Sequence, residues 1–227
     1  MTATHAGVEG ASGDHIATER RPTPTAEAPA PDPTPPFLSG NPAALGLPVF
    51  VAGTVALALV LVGYVPTGGL GSSMPIIATA TGFGLAVSTV WAAALGQSAV
   101  ASIFGIFSGF WLSYAALVLG LTHNWFAITP NAALHTQAAF LITWLVIIGM
   151  LTLATLRLPF AFTLLFVLVE ACLVCVLIST VNASSTWSKI AGIVAFAFAA
   201  VGVYLYMGVS SVATGGKALA LGRPVVH

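Results

Sequence analysis

The residues able to do chemistry in this chain are few, and most are neutral. Between Pro33 and Leu156 there is no Asp, Glu, Lys or Arg. The neutral donors across that stretch include Asn41, Thr54, Thr79, Thr81, Ser102, Ser108, Ser113, Asn131 and Thr143. Glu170 is the one acidic residue inside a long apolar run, and an ionisable group there is a functional candidate by default, here for proton coupling. His135 lies four residues after Asn131, on the same helical face, with His123 upstream. Imidazole suits proton exchange near neutral pH, which makes His135 the second candidate for that role. These histidines meet no further ligand at metal-binding spacing, so no metal and no other cofactor is expected. Cys172 and Cys175 form a lone CxxC pair, which without a second pair reads as helix packing.

The elements that must position these residues follow from composition. Apolar residues make up 58% of the 227 positions and charged residues 5%. Five of the six acidic residues fall in the first 32 positions. A water-soluble domain needs charge over its surface, so this distribution specifies an all-α polytopic membrane protein. A hydrocarbon core of roughly 30 Å takes about 20 apolar residues as helix. Six stretches qualify: 42–65, 74–95, 98–121, 132–155, 159–181 and 187–210. They are divided by "PTGGLGSS", "LGQS", "THNWFAITPN", "RLP" and "NASSTWSK", all strings rich in turn-formers or polar residues.

Residues 1–36 include "RPTPTAEAPAPDPTPPF", too polar and proline-rich to form a packed core, and are expected to be a disordered tail. Residues 37–210 form the six-helix transmembrane domain, and 211–227 a C-terminal tail. Six spans put both termini on one side with Arg20, Arg21, Arg157, Lys217 and Arg223, leaving Lys189 on the other. The positive-inside rule then makes both tails cytoplasmic. Zero net charge gives no reason to expect nucleic acid as a partner; the lipid bilayer is the partner the composition requires.

Small residues recur at helical spacing in the second, third and sixth spans, for example Gly82, Ala86, Thr89 and Ala93. Such stripes allow close helix contact, and so a narrow passage in preference to a wide one. "NPAALGL" at the first span and "PNAALHT" at the fourth form a faint internal echo; three spans per half would make such a repeat inverted in the membrane.

Asn41 is able to cap a helix and Pro42 suits its first position, so "GNPAALGL" is a helix start by ordinary capping logic. The string also resembles the NPAPLGL signature of the acetate uptake transporter family, which includes the succinate-acetate permeases. Ala44 replaces the second proline, while Asn41, Pro42, Leu45, Gly46 and Leu47 match. "VGY" at 62–64, "GFW" at 109–111, "PNA" at 130–132, "YLYMG" at 204–208 and "GRPV" near the C-terminus follow in the family's order. The resemblance covers nearly the whole chain after residue 40. It implies a homo-hexamer in the cell membrane, each protomer with its own pore for acetate and similar small monocarboxylates, and succinate in some members.

It also implies an apolar constriction at Phe50, Phe107 (where the family has Tyr) and Val169. Independently of any family, the first, third and fifth spans start from the same side. These three residues lie eight to ten residues inside their spans, at about 12 to 15 Å depth, where an apolar collar can gate by dewetting. A carboxylate crossing that depth needs donors to replace its lost water. Asn41 and Pro42 at one helix start, and Asn131 at the opposite mouth, are the candidate substrate-binding positions, since helix N-termini offer free N–H groups and a positive dipole end.

Transport would be by a channel or a proton-coupled symporter; other readings are an ammonia or other small-solute channel, and a membrane sensor signalling through its tail. An enzyme is not expected. "GIFSG" at 105–109 superficially resembles the nucleophile string of intramembrane serine proteases, but the serine is displaced and neither of the last two spans holds a histidine to act as base.

Overall fold

The structure, a computed structural model, describes residues 39–226; the expected disorder of residues 1–36 lies outside them. Six helical stretches are long and apolar enough to cross a membrane: Ala43–Leu61, Gly71–Ala94, Ser98–His123, Pro130–Thr155, Phe160–Asn182 and Ser185–Ala213. Each overlaps an expected span and differs from it by a few residues at the ends. We label the regular α-helices α1 (Ala43–Leu61), α2 (Gly84–Ala94), α3 (Ser98–His123), α4 (Pro130–Thr155), α5 (Phe160–Asn182) and α6 (Ser185–Ala213). All regular structure among the described residues is helical.

The second span departs from a plain helix. A 3₁₀ segment, Thr67–Ser73, leads to a stretch wound as a π-helix, Ile76–Phe83, before α2 begins. Wider winding frees backbone carbonyls, which inside a membrane need partners. Ser108 Oγ of α3 donates to the Gly82 carbonyl at 2.8 Å. Thr81 Oγ1 turns the other way and donates to the Val49 carbonyl of α1 at 2.8 Å. The π-helical stretch is thereby tied to both neighbours.

Close approach explains several of the small residues. A Cβ on Gly53 would lie 2.5 Å from Thr81 Oγ1, and one on Gly82 would lie 2.5 Å from Leu112 Cδ2. Between α1 and α6, Gly202 faces Val51 and Gly192 faces the backbone of Val62. On the α5–α6 seam, Cys172 Sγ donates to the Ala191 carbonyl at 3.4 Å. Both cysteines are free and buried, as packing residues. Within α1, Pro48 removes one amide from the hydrogen-bond ladder two residues before Phe50.

After α6 the chain folds back as a strap. Gly215 and Gly222 adopt left-handed φ of 84° and 79°. A Cβ on Gly222 would come within 2.9 Å of Phe160 Cβ, so both conformation and space require glycine there. Tyr204 donates its hydroxyl to the Ala220 carbonyl at 2.7 Å, and Ala161 N–H donates to the Leu221 carbonyl at 2.9 Å. The N–H groups of Val225 and Val226 both reach the Leu156 carbonyl at 3.0 Å. Residues 214–226 are therefore fixed against the end of α6 and the α4–α5 turn.

Candidate functional site

α1, α3 and α5 start on the face of the bundle where α6 ends, and each turns one apolar stripe inward. On α3 the stripe is Val100, Ile103, Phe104 and Phe107; on α5 it is Phe162, Leu165, Phe166 and Val169. Both follow the i, i+3, i+4, i+7 spacing of a single helical face. On α1 the inward residues are Ala43, Leu47 and Phe50. Gly46 gives Phe104 its place, since a Cβ there would sit 2.3 Å from the ring.

These stripes enclose a vestibule of about 750 Å³, open at the end where Asn41 and Gln97 stand. Leu205, Val209 and Val212 of α6 complete it, with Ala218, Leu219 and Leu221 of the strap. Its inner end is closed by aromatic rings. Phe50 and Phe107 meet edge to face with centroids 5.0 Å apart and planes at 75°. Phe198 lies 6.0 Å from Phe50, and Phe166 lies 5.6 Å from Phe107. All four rings are buried. Beyond them is a second, much smaller chamber of about 20 Å³, lined by Val169, Trp111, Cys172 and Phe198 among others. Phe50 and Phe107 line both spaces, so this ring pair is the wall between them.

The expected constriction residues therefore come together, with two additions. Val169 lies on the far side of the ring pair, in the small chamber. Phe166 and Phe198 extend the closure and were absent from the sequence reading. Phe166 was detectable, standing one helical turn before Val169 on the same face. Phe198 was not, because α6 runs the other way and its depth does not follow from the spacing shared by α1, α3 and α5. Gln97, at the mouth beside Asn41, was also missed.

The candidate binding positions separate. Asn41 lines the vestibule, and its Oδ1 accepts the Ala43 N–H at 3.0 Å, leaving the amide NH₂ at the mouth. Pro42 is fully buried and lines neither cavity. Asn131 and His135 are exposed near the start of α4 and line neither cavity. Pro130 takes the first helical position there, so Asn131 falls inside the first turn instead of before it. The echo with "NPAALGL" thus fails at the atoms that would carry its chemistry.

Glu170 also lines neither cavity. It points to α4, where its Oε1 is 3.4 Å from the position a Cβ on Gly149 would take, and this oxygen has no hydrogen-bond partner among the described residues. Ser108 of "GIFSG" spends its hydroxyl on Gly82. His123 stacks on Trp125 at 5.6 Å in the turn after α3, remote from that serine. Among the described residues no group of three His, Cys, Asp or Glu could hold a metal ion.

Residues 25–219 match the sequence model of the GPR1/FUN34/yaaH family. The meiotically up-regulated gene 86 protein of Schizosaccharomyces pombe (strain 972 / ATCC 24843) is 32% identical over 157 residues, which are 64% of this chain and 49% of that protein. The chain thus spans about half the length of this curated relative. The solved structure of the bacterial acetate channel SatP is similar with a TM-score of 0.71 at 22% identity, over 81% of this chain and 99% of that one. At that identity the likeness is one of fold.

Proposed function

The chain belongs to the GPR1/FUN34/yaaH family, and from that premise we propose that it carries acetate and similar small monocarboxylates, and succinate less readily, through the space between α1, α3, α5 and α6. The observation that carries this reading is the pair of cavities sharing Phe50 and Phe107 as their dividing wall. A vestibule that ends on a wall of apolar rings is the geometry of a narrow solute path, because small parting motions of such groups would admit or exclude water. Asn41 offers its amide to the carboxylate at the mouth, with Gln97 beside it. Fixed neutral donors suit a transient anion, since they lower the cost of shedding water without holding the ion as a cation would.

The vestibule opens to the cytoplasm of a cell whose plasma membrane holds the protein. Support comes from the five Lys and Arg residues on the side of the termini against Lys189 on the other. Assembly as a homo-hexamer is supported by the family resemblance and by exposed apolar side chains along α4, such as Val146, Met150 and Leu153, which lipid or a neighbouring subunit must cover. Passage through an open channel and proton-coupled symport share this path, and Glu170, outside it, is the candidate that separates them.

The test is uptake of radiolabelled acetate into proteoliposomes containing the purified chain, with unlabelled formate, propionate, lactate and succinate as competitors. Uptake above protein-free liposomes, competed best by formate and propionate, is the expected result. Liposomes no more permeable to acetate than protein-free ones would overturn the reading.

A further inference from the structure

The vestibule is larger and more apolar than acetate requires. Among the described residues that line it, only Asn41 and Gln97 carry a side-chain nitrogen or oxygen, and none is charged. Both stand at the open end, where α1 and α3 begin. From there to the Phe50–Phe107 wall the lining is aliphatic and aromatic. The volume of about 750 Å³ lies within the roughly 300–1,000 Å³ of small-molecule sites, which are likewise mostly apolar with a few placed polar groups. Apolar cavities stay dry and take up apolar guests. The single methyl group of acetate would cover little of this surface. A molecule with one polar end and a longer apolar tail matches both its size and its asymmetry.

We propose that the vestibule is a binding site for medium-chain monocarboxylic acids, with the carboxyl group at Asn41 and Gln97 and the alkyl chain running inward to the rings. Asn41 Oδ1 is engaged by the Ala43 N–H at 3.0 Å, so the side-chain NH₂ is the group that meets an oxygen of the acid. Phe50 lies seven residues along α1 from Ala43, a depth of about 10 Å. A zigzag alkyl chain with bonds of about 1.5 Å spans that depth in about eight carbons, which makes octanoic acid the best fit. Leu219 and Leu221 of the strap cover the chain from the side, held there by the Tyr204 hydroxyl on the Ala220 carbonyl and the Ala161 N–H on the Leu221 carbonyl. An acid seated in this way fills the approach to the ring wall and blocks passage. The block rests on the reading that the solute crosses between those rings, whereas the binding site does not.

In proteoliposomes, butanoate, hexanoate, octanoate, decanoate and dodecanoate are set against labelled acetate uptake. Inhibition is expected to strengthen about fourfold per added CH₂ as far as octanoate and then to level off, because further carbons find no room. Inhibition that continues to rise through dodecanoate follows partition into the bilayer and would overturn the proposal. Val209→Trp puts a large side chain into the vestibule from α6. It is expected to weaken inhibition by octanoate at least tenfold while changing that by butanoate less than threefold, and an equal loss for both would count against the site. A measurement on the unaltered protein covers a variant that fails to fold: octanoic acid with a terminal diazirine is photolysed in the proteoliposomes and the labelled peptides are mapped. Label on Val100–Phe107 and Phe162–Phe166, removed by excess octanoate, is the expected result. Label confined to the outward side chains of α4, or vestibule label that excess octanoate leaves in place because a bilayer acyl tail holds the space, would overturn it. Protein labelled in the vestibule that carries no acetate keeps the binding site and overturns the broader functional reading alone.

Discussion

Phe107 lines the vestibule and the chamber at once, so on the proposed path its size would set the width and its chemistry the polarity. Phe107→Ala removes half of the closing pair. Acetate uptake is expected to rise while discrimination between acetate and larger competitors such as lactate falls, both read from the same competition assay. Asn41→Ala deletes an amide at the mouth and the acceptor for Ala43 N–H. It is expected to lower acetate uptake about threefold, an effect of roughly 0.7 kcal/mol, with assembly retained on size-exclusion chromatography. Unchanged uptake would remove Asn41 from the path. Residues of this kind were legible in the sequence where one helical face repeats, as on α3 and α5, because spacing alone puts Phe104 beside Phe107. Trp111 was legible only as part of a motif. Whether an indole N–H finds an acceptor depends on neighbouring elements, which no local pattern encodes.

Around the buried apolar core, the helices approach closely where side chains are absent, and hydroxyls cross between elements. Gly53 sits where α1 touches the π-helical stretch, and Gly53→Val would force its added carbons into Thr81. A loss of several degrees in the melting temperature of the detergent-solubilised protein is expected, while Gly71→Ala, with nothing within 4 Å of the added carbon, should leave it unchanged. Ser108→Ala leaves the Gly82 carbonyl without its donor; its expected cost is about 0.6 to 1.7 kcal/mol by membrane hydrogen-bond scales. The six spans were readable because length and hydropathy suffice to define them. The π-helical winding of Ile76–Phe83 was not, since it is stabilised by bonds to α1 and α3 and has no periodic signature of its own. The strap was missed for a similar reason: "KALALGRPVV" reads as a polar-capped tail, and its place is set by carbonyls and amides of the α4–α5 turn.

At the scale of the molecule, Glu170, the one acidic residue within a described span, lines neither cavity. Glu170→Gln is expected to keep the pH profile of acetate uptake if the solute crosses without an obligatory proton, and to flatten it if Glu170 carries one; stopped-flow uptake over a pH series decides between them. Tags at either terminus should react only with reagents admitted to the cytoplasm, and labelling from outside the cell would reverse the orientation. Ala218, Leu219 and Leu221 follow the sixth span in the chain, so a translating ribosome makes this wall of the vestibule after the six described spans. A nascent chain extended as far as Phe198 already holds all four aromatic residues, while the strap that walls their antechamber is still to be made. The closing rings thus precede, in the order of the chain, the last wall of the vestibule they close.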